Sequence, residues 1–389
     1  MPSFEYLLAR AIFPLAVFFY VVYQWLKQLC SSCDRYGTLY DEVEDTSAAQ
    51  LSNESRLWNL LLRRRNLKRN SVVDYRMETR IQKNRFYPKL DDSWFGCAEK
   101  VEKIEKLRDS YWITMKNCEK RGKVMLFAHG GGFISGNPLG LDAQSIMYGI
   151  EQVNKTSKVK CSHILSIEYR LVEDPAHHEN MDRRMLTHSL TDQLEDCKEC
   201  FKYLIEEKGI PAQDIILTGF SAGACHLTMM AFQLMNYGDL KVWPVHSIAL
   251  FSPPCDTSAK IVTKEEWKEE NVIVLTRDMM ELIDRCISES DRDNFSILSN
   301  MQQLESQDSE MYSKFFKSKW IINYSKHEEM APGMEYFVKL LNSKVSNVNK
   351  DKLVVITEDY QFHCYPVVHC LIPESRRTMI SVLQQCLNQ

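Results

Sequence analysis

From Lys123 onward the chain repeats one pattern: a short apolar run, a turn, then a stretch of helical period. The apolar runs are 124–128 (VMLFA), 164–169 (ILSIEY), 215–219 (IILTG), 247–251 (SIALF), 320–324 (WIINY) and 353–357 (LVVIT). Helix-period segments lie between most of them, at about 141–154, 189–208, 222–236, 330–342 and 373–387. A strand with one wet face alternates apolar and polar residues, and these runs mostly do not. They read as strands buried on both faces, joined by crossover helices. The expected fold class is therefore α/β: a mostly parallel sheet with helices on both faces.

Composition agrees. Of 389 residues, 44% are hydrophobic and 26% charged, which suits a globular chain with a large core. A net charge of −4 offers no general attraction to nucleic acid. One interval breaks the rhythm. Residues 256–318 are long, charged and helix-prone (KEEWKEEN, RDMMELIDRC) and sit between two core strands, where an insertion lies over the strand ends as a helical cap. The whole α/β domain is assigned to 75–389.

The N-terminus is different in kind. Residues 11–26 (AIFPLAVFFYVVYQWL) carry no charge, and with 6–10 they make about 20 residues, enough to cross a bilayer if Arg10 snorkels. Tyr20, Tyr23 and Trp25 cluster near one end, as interfacial aromatics do. Residues 1–33 are read as a membrane-anchor helix, with a cleaved signal peptide or a packed helix as the alternatives. Residues 34–74 are read as an acidic linker followed by a juxtamembrane helix. Arg10 on one side and Lys27 and Arg35 on the other leave the orientation open.

The 13 cysteines are odd in number and irregular in spacing, unlike a disulfide framework. Cys197 and Cys200 have C-x-x-C spacing, as do Cys30 and Cys33, and zinc would require two such pairs to meet. The simpler reading is buried thiols and no metal site.

Two glycine-rich motifs carry chemistry. Gly219-Phe220-Ser221-Ala222-Gly223 follows an apolar strand and precedes an apolar helix. A nucleophilic serine needs a sharp strand-to-helix turn, and Gly219 and Gly223 let the backbone make it. His129-Gly130-Gly131-Gly132-Phe133 also follows a strand. Acyl transfer builds charge on a carbonyl oxygen, and backbone N–H groups in such a loop stabilise it. The expected donors are Gly131, Gly132 and Ala222, with His129 and Gly130 supporting the motif. A phosphate loop would want Lys-Ser/Thr after the glycines, which is absent.

A base and an acid should follow in chain order. His363 lies in the loop after the last strand, at the strand end where ligands collect in open sheets; His369 is the alternative. Past 320–324 comes Ser325-Lys326-His327-Glu328-Glu329-Met330. No Asp is available, so Glu328 or Glu329 is the acid that orients the imidazole.

With HGGGF and GFSAG about 90 residues apart and His363 beyond them, the chain resembles the hormone-sensitive lipase family of α/β-hydrolases over roughly 120–388. Tyr169-Arg170-Leu171 with Pro175, and Gln193-Leu194-Glu195-Asp196-Cys197, are similar to further family elements. Ser325-x-x-Glu328-x-Met330 resembles the family's G-x-x-D-x-L, which selects Glu328 as acid. Phe220 and Ala224 depart from the family's usual Asp and Gly. The resemblance implies an α/β-hydrolase fold and a Ser221–His363–Glu328 ester hydrolase that needs no metal or cofactor. The anchor most resembles the architecture of arylacetamide deacetylases and fungal steryl acetyl hydrolases. That implies removal of a small acyl group from an apolar alcohol or amine at the endoplasmic reticulum membrane. Xenobiotic ester or amide cleavage, or a non-catalytic ligand-binding role on the same fold, are the alternatives. Phe133, Phe220, Trp267 and Phe295 are candidates to line an apolar pocket, with core packing as the equal alternative for each. Asn-x-Ser/Thr sequons at Asn53, Asn154, Asn294 and Asn323 offer a topology test.

Overall fold

The computed structural model describes residues 97–389 apart from 117, 119–121, 174–181, 237–241, 259, 261–282, 308–309, 329, 346, 360, 362, 369–372 and 389. The expected anchor, linker and juxtamembrane helix lie outside the described residues, as do Asn53, Pro175, Trp267, Glu329 and His369. Among the described residues no helix is long and apolar enough to cross a membrane.

Eight strands form one sheet. They are β1 (Ala98–Ile104), β2 (Ser110–Met115), β3 (Lys123–Ala128), β4 (Cys161–Ile167), β7 (Ile215–Phe220), β8 (Ser247–Phe251), β9 (Lys319–Ser325) and β10 (Leu353–Glu358). A two-residue pair, β5 (Leu171–Val172) and β6 (Leu186–Thr187), stands apart from it. The order is β1-β2-β4-β3-β7-β8-β9-β10. All neighbours are parallel except at β2, which runs antiparallel to both β1 and β4. The six runs expected from the sequence are the six strands from β3 onward, leaving aside the short pair. The hairpin of β1 and β2 supplies the edge.

Period-2 alternation sends each strand's residues into two separate cores. Val124, Leu126 and Ala128 of β3 join Leu217, Ile248, Leu250 and Ile322 on one face. That face is covered by α2 (Leu190–Lys202), α3 (Ala222–Asn236) and α7 (Ala331–Lys344). Met125 and Phe127 join Ile216, Ala249, Phe251 and Ile321 on the other, under α1 (Leu141–Thr156) and α8 (Pro373–Leu387). Phe220 shares the parity of Ile216, so its ring stacks on Phe251 at 4.4 Å inside the second core. Of the two readings for Phe220, pocket or core, the structure shows core.

The described part of the 256–318 insertion contains α4 (Glu289–Asn294), α5 (Ile297–Gln307) and α6 (Met311–Phe315). Ile297, Leu298, Met301 and Phe315 are fully buried in the same core as α3. Phe315 also stacks flat on Trp320 of β9 at 4.0 Å. These helices therefore form part of the layer that returns the chain from β8 to β9.

A charged clamp fixes the end of β4. The Arg170 side chain donates to both Asp196 oxygens, at 2.8 Å from Nη2 and 3.0 Å from Nε, and its backbone N–H donates to Asp196 at 2.9 Å. Asp196 is buried in α2 and also meets Arg108 Nη2 at 3.1 Å, so two guanidinium groups share its charge.

Two sequons are closed off. The Asn323 amide in β9 donates to the Ile356 carbonyl and the Tyr365 hydroxyl. Asn154 is buried at the end of α1, where its amide binds both the N–H and the carbonyl of Cys161. Asn294 is exposed.

Candidate active site

Ser221 stands alone between β7 and α3, with φ at +48°. For a residue with a β-carbon this left-handed conformation is strained, and such strain persists only where neighbours impose it. Here the imposition is close packing. A β-carbon on Gly223 would lie 2.3 Å from the Ala128 carbonyl oxygen, and one on Gly219 would lie 2.6 Å from the Ala224 nitrogen. The start of α3 therefore packs directly against the end of β3. The Ser221 N–H donates to the Phe251 carbonyl at 2.9 Å, tying the turn to β8.

The second motif leaves the neighbouring end of β3 and reaches Ser221. A β-carbon on Gly130 would be 3.4 Å from that of Ser221. The loop's polar groups are held almost one by one. His129 Nδ1–H donates to the Gly130 carbonyl at 2.7 Å, and the Tyr169 hydroxyl donates to the His129 carbonyl at 2.7 Å. The Gly130 N–H donates to Asp142 at 2.7 Å. The Gly131 carbonyl accepts from the Ile134 and Ser135 N–H groups. Among the described residues no acceptor pairs with the N–H of Gly131 or Gly132. Ala222 opens α3, where the first N–H groups have no intrahelical partner. The structure thus brings the loop up to Ser221 at Gly130, with Gly131 and Gly132 next along it and Ala222 directly after the serine.

His363 and Glu328 complete a chain of hydrogen bonds. Ser221 Oγ lies 2.9 Å from His363 Nε2, and His363 Nδ1 lies 2.7 Å from Glu328 Oε2. A carboxylate only accepts, so Nδ1 carries the proton and Nε2 is free to take one from Ser221. All three residues are buried. Ser325 joins the two loops that carry the acid and the histidine: its hydroxyl accepts from the N–H of His327 at 3.3 Å and of Gln361 at 3.1 Å. Ser252 does the same from β8, accepting the Cys364 N–H at 3.1 Å. Ser252 and Cys364 also have positive φ, at 47° and 57°, so backbone strain is concentrated around this one spot.

Electrostatics follow from burial. Burial opposes a charged His363 ring, yet the Cys364 sulfur and the Glu328 carboxylate beside it carry its pKa well above the ordinary value. Burial pushes His129 down to about 4, so its ring is neutral near pH 7. The Asp142 carboxyl is withdrawn from water, which raises its pKa.

Asp142, Ser252 and the roles of Tyr169 and Ser325 were not anticipated from sequence. An acidic residue in the first turn of a helix reads as an ordinary helix-end charge. Only the fold brings it back to Gly130. Cys197 and Cys200 lie buried in α2 with pKa values pushed up by burial, and among the described residues no cluster of possible ligands could hold a metal ion.

Residues 125–315 match the family described as alpha/beta hydrolase fold. A comparison with curated protein sequences finds no match. Among solved structures, a hyperthermophilic esterase from the archaeon Pyrobaculum calidifontis is similar at a TM-score of 0.58 and 14% identity, over 85% of this chain and 96% of that one. A bacterial heroin esterase gives 0.59 and 16%, over 87% and 98%. A hormone-sensitive lipase from a metagenome library gives 0.60 and 14%, over 84% and 96%. The chain has the α/β-hydrolase fold. At these identities the likeness speaks for the fold alone.

Proposed function

We propose that the protein is a serine carboxylic-ester hydrolase with Ser221 as nucleophile, His363 as base and Glu328 as the orienting acid. The observation that carries this reading is the continuous hydrogen-bonded chain from Glu328 through His363 to Ser221, set beside a loop with unpaired N–H groups. His363 Nε2 takes the Ser221 proton as Oγ attacks the ester carbonyl. The oxygen, now negative, is received by the N–H groups of Gly131, Gly132 and Ala222. Glu328 holds the imidazolium in place. His363 then protonates the departing alcohol, and water releases the acyl group by the same route. The esterases and the lipase among the similar structures support the same chemistry.

The preferred substrate in this reading is a short acyl ester, acetyl foremost, of an apolar alcohol such as a sterol. The enzyme would work at the endoplasmic reticulum membrane, held by residues 1–33 with its α/β domain in the lumen. The apolar, aromatic-rich segment at 11–26 and the motif resemblance support this. The test is hydrolysis of p-nitrophenyl acetate by the detergent-solubilised chain, compared with sterol acetates. Activity that vanishes in Ser221→Ala is expected. A variant that keeps the wild-type rate refutes the nucleophile, and a strong preference for simple water-soluble esters refutes the sterol substrate.

A further inference from the structure

Behind the glycine loop lies a buried polar pair that the mechanism above does not use. Gln193 of α2 and His226 of α3 are both fully buried. Gln193 Nε2 lies 2.7 Å from the Phe133 carbonyl oxygen, and Gln193 Oε1 lies 2.8 Å from His226 Nε2. The direction of these bonds is forced. The Phe133 carbonyl only accepts, so the amide nitrogen must face it; Oε1 then faces His226, whose Nε2 must donate. His226 Nδ1 is left without a hydrogen-bond partner among the described residues. The ring sits edge-on against Phe133 and Tyr169 at 5.2 Å each and Phe295 at 5.6 Å. Burial drives its pKa down to about 3, so it is a neutral donor at any working pH.

The two ends of this chain matter. His226 lies one helical turn beyond Ala222, on the helix whose first residue follows the nucleophile. Phe133 directly follows Gly132 and is itself at φ +69°, so the loop turns back there only under restraint. Its carbonyl is held by the Gln193 amide and by the Val172 N–H at 2.9 Å. We infer that Gln193 and His226 are positioning residues that set the spacing between Ser221 and the Gly131 and Gly132 donors. This rests on the hydrolase reading. For stability the pair matters little: its mutual bond can be replaced by apolar groups of similar shape at small cost, and the Phe133 carbonyl keeps the Val172 N–H.

That contrast supplies the test. Gln193→Leu/His226→Leu should fold with a melting temperature near wild type. Its kcat on p-nitrophenyl acetate should fall about tenfold, a fraction of what losing a whole oxyanion donor costs, with KM little changed. Affinity for a boronic acid that forms a tetrahedral adduct on Ser221 should fall by the same factor. Gln193→Glu adds a pH readout. A protonated carboxyl can donate to the Phe133 carbonyl and an ionised one repels it, so this variant should lose activity with rising pH where wild type does not. Folded variants that keep wild-type kcat and boronate affinity would overturn the positioning role while leaving the hydrolase reading intact. A wild-type chain that neither cleaves esters nor reacts with a fluorophosphonate would overturn both.

Discussion

The turn that carries Ser221 and the loop that carries Gly131 leave adjacent strands, β7 and β3, and meet at one point, yet they are held by different forces. The Ser221 turn is held by steric contact: two glycines with no room for a β-carbon, at the joint of a buried strand and a buried helix. The Gly131 loop is held by directed hydrogen bonds from α1, α2, β5 and the segment after β4. Packing is local and tolerates little change. A polar network is spread over the chain and can be loosened one bond at a time. The turn should therefore fail all at once and the loop by degrees.

The largest effect lies on the side of the turn and its partners. Glu328→Gln keeps the size of the acid but removes its charge and lets the imidazole take the wrong tautomer, so kcat should fall on the order of 10⁴. Its pH profile sharpens the point. The base must be neutral to act, so in wild type kcat/KM rises with pH through a His363 pKa held well above the ordinary histidine value. With the carboxylate gone, burial opposes the charged ring and only Cys364 is left to favour it, so the acid limb should move to lower pH as the plateau collapses. A limb that stays put would mean that Glu328 does not set the histidine.

Gly131→Ala is the corresponding blow to the loop. Gly131 has φ +124°, and an added β-carbon would lie 2.0 Å from the Ser135 carbonyl oxygen, so the loop must move. Losing an oxyanion donor costs about 10²–10³ in kcat, and that range is expected here with the triad intact. Steady-state kcat against KM checks it. Asp142→Ala should do less. It frees the Gly130 N–H from its carboxylate acceptor while the other restraints remain, so about a tenfold loss is expected, largely in kcat. A loss confined to KM would place Asp142 at the substrate instead.

The same division explains what could be read from sequence. Strand positions, the Ser221 turn and the Gly131 loop are local patterns, each complete within a few residues. His363 and Glu328 were found because the fold class says where along the chain to look: the ends of β10 and β9. The supports of the loop are not local. Asp142 meets Gly130 only because α1 begins beside the loop, and Gln193 meets Phe133 across 60 positions. Nothing about those residues in isolation distinguishes them from a helix-end charge or a helix-face amide. For Phe220 the sequence did contain the pattern that decides between pocket and core. Two-residue alternation from Ile216 sends it to the α1 and α8 side, away from Ser221. That Asn154 is closed off is not legible in the sequence, since its partner Cys161 belongs to β4.

The smallest test takes a single atom from the loop. Tyr169 stacks on the His129 ring at 4.2 Å, and its hydroxyl donates to the His129 carbonyl. Tyr169→Phe keeps the stack and removes only the bond. A buried carbonyl left without its donor costs about 1–3 kcal/mol, which a denaturant melt resolves. Gly130 and beyond remain tied through Asp142, Val172 and Gln193, so kcat should fall by no more than a few-fold. If the loop is a network, combining Tyr169→Phe with Asp142→Ala should cost more in kcat than the product of the two separate losses. If the two losses simply multiply, the supports act independently, and the contrast with the Ser221 turn is one of strength rather than of kind.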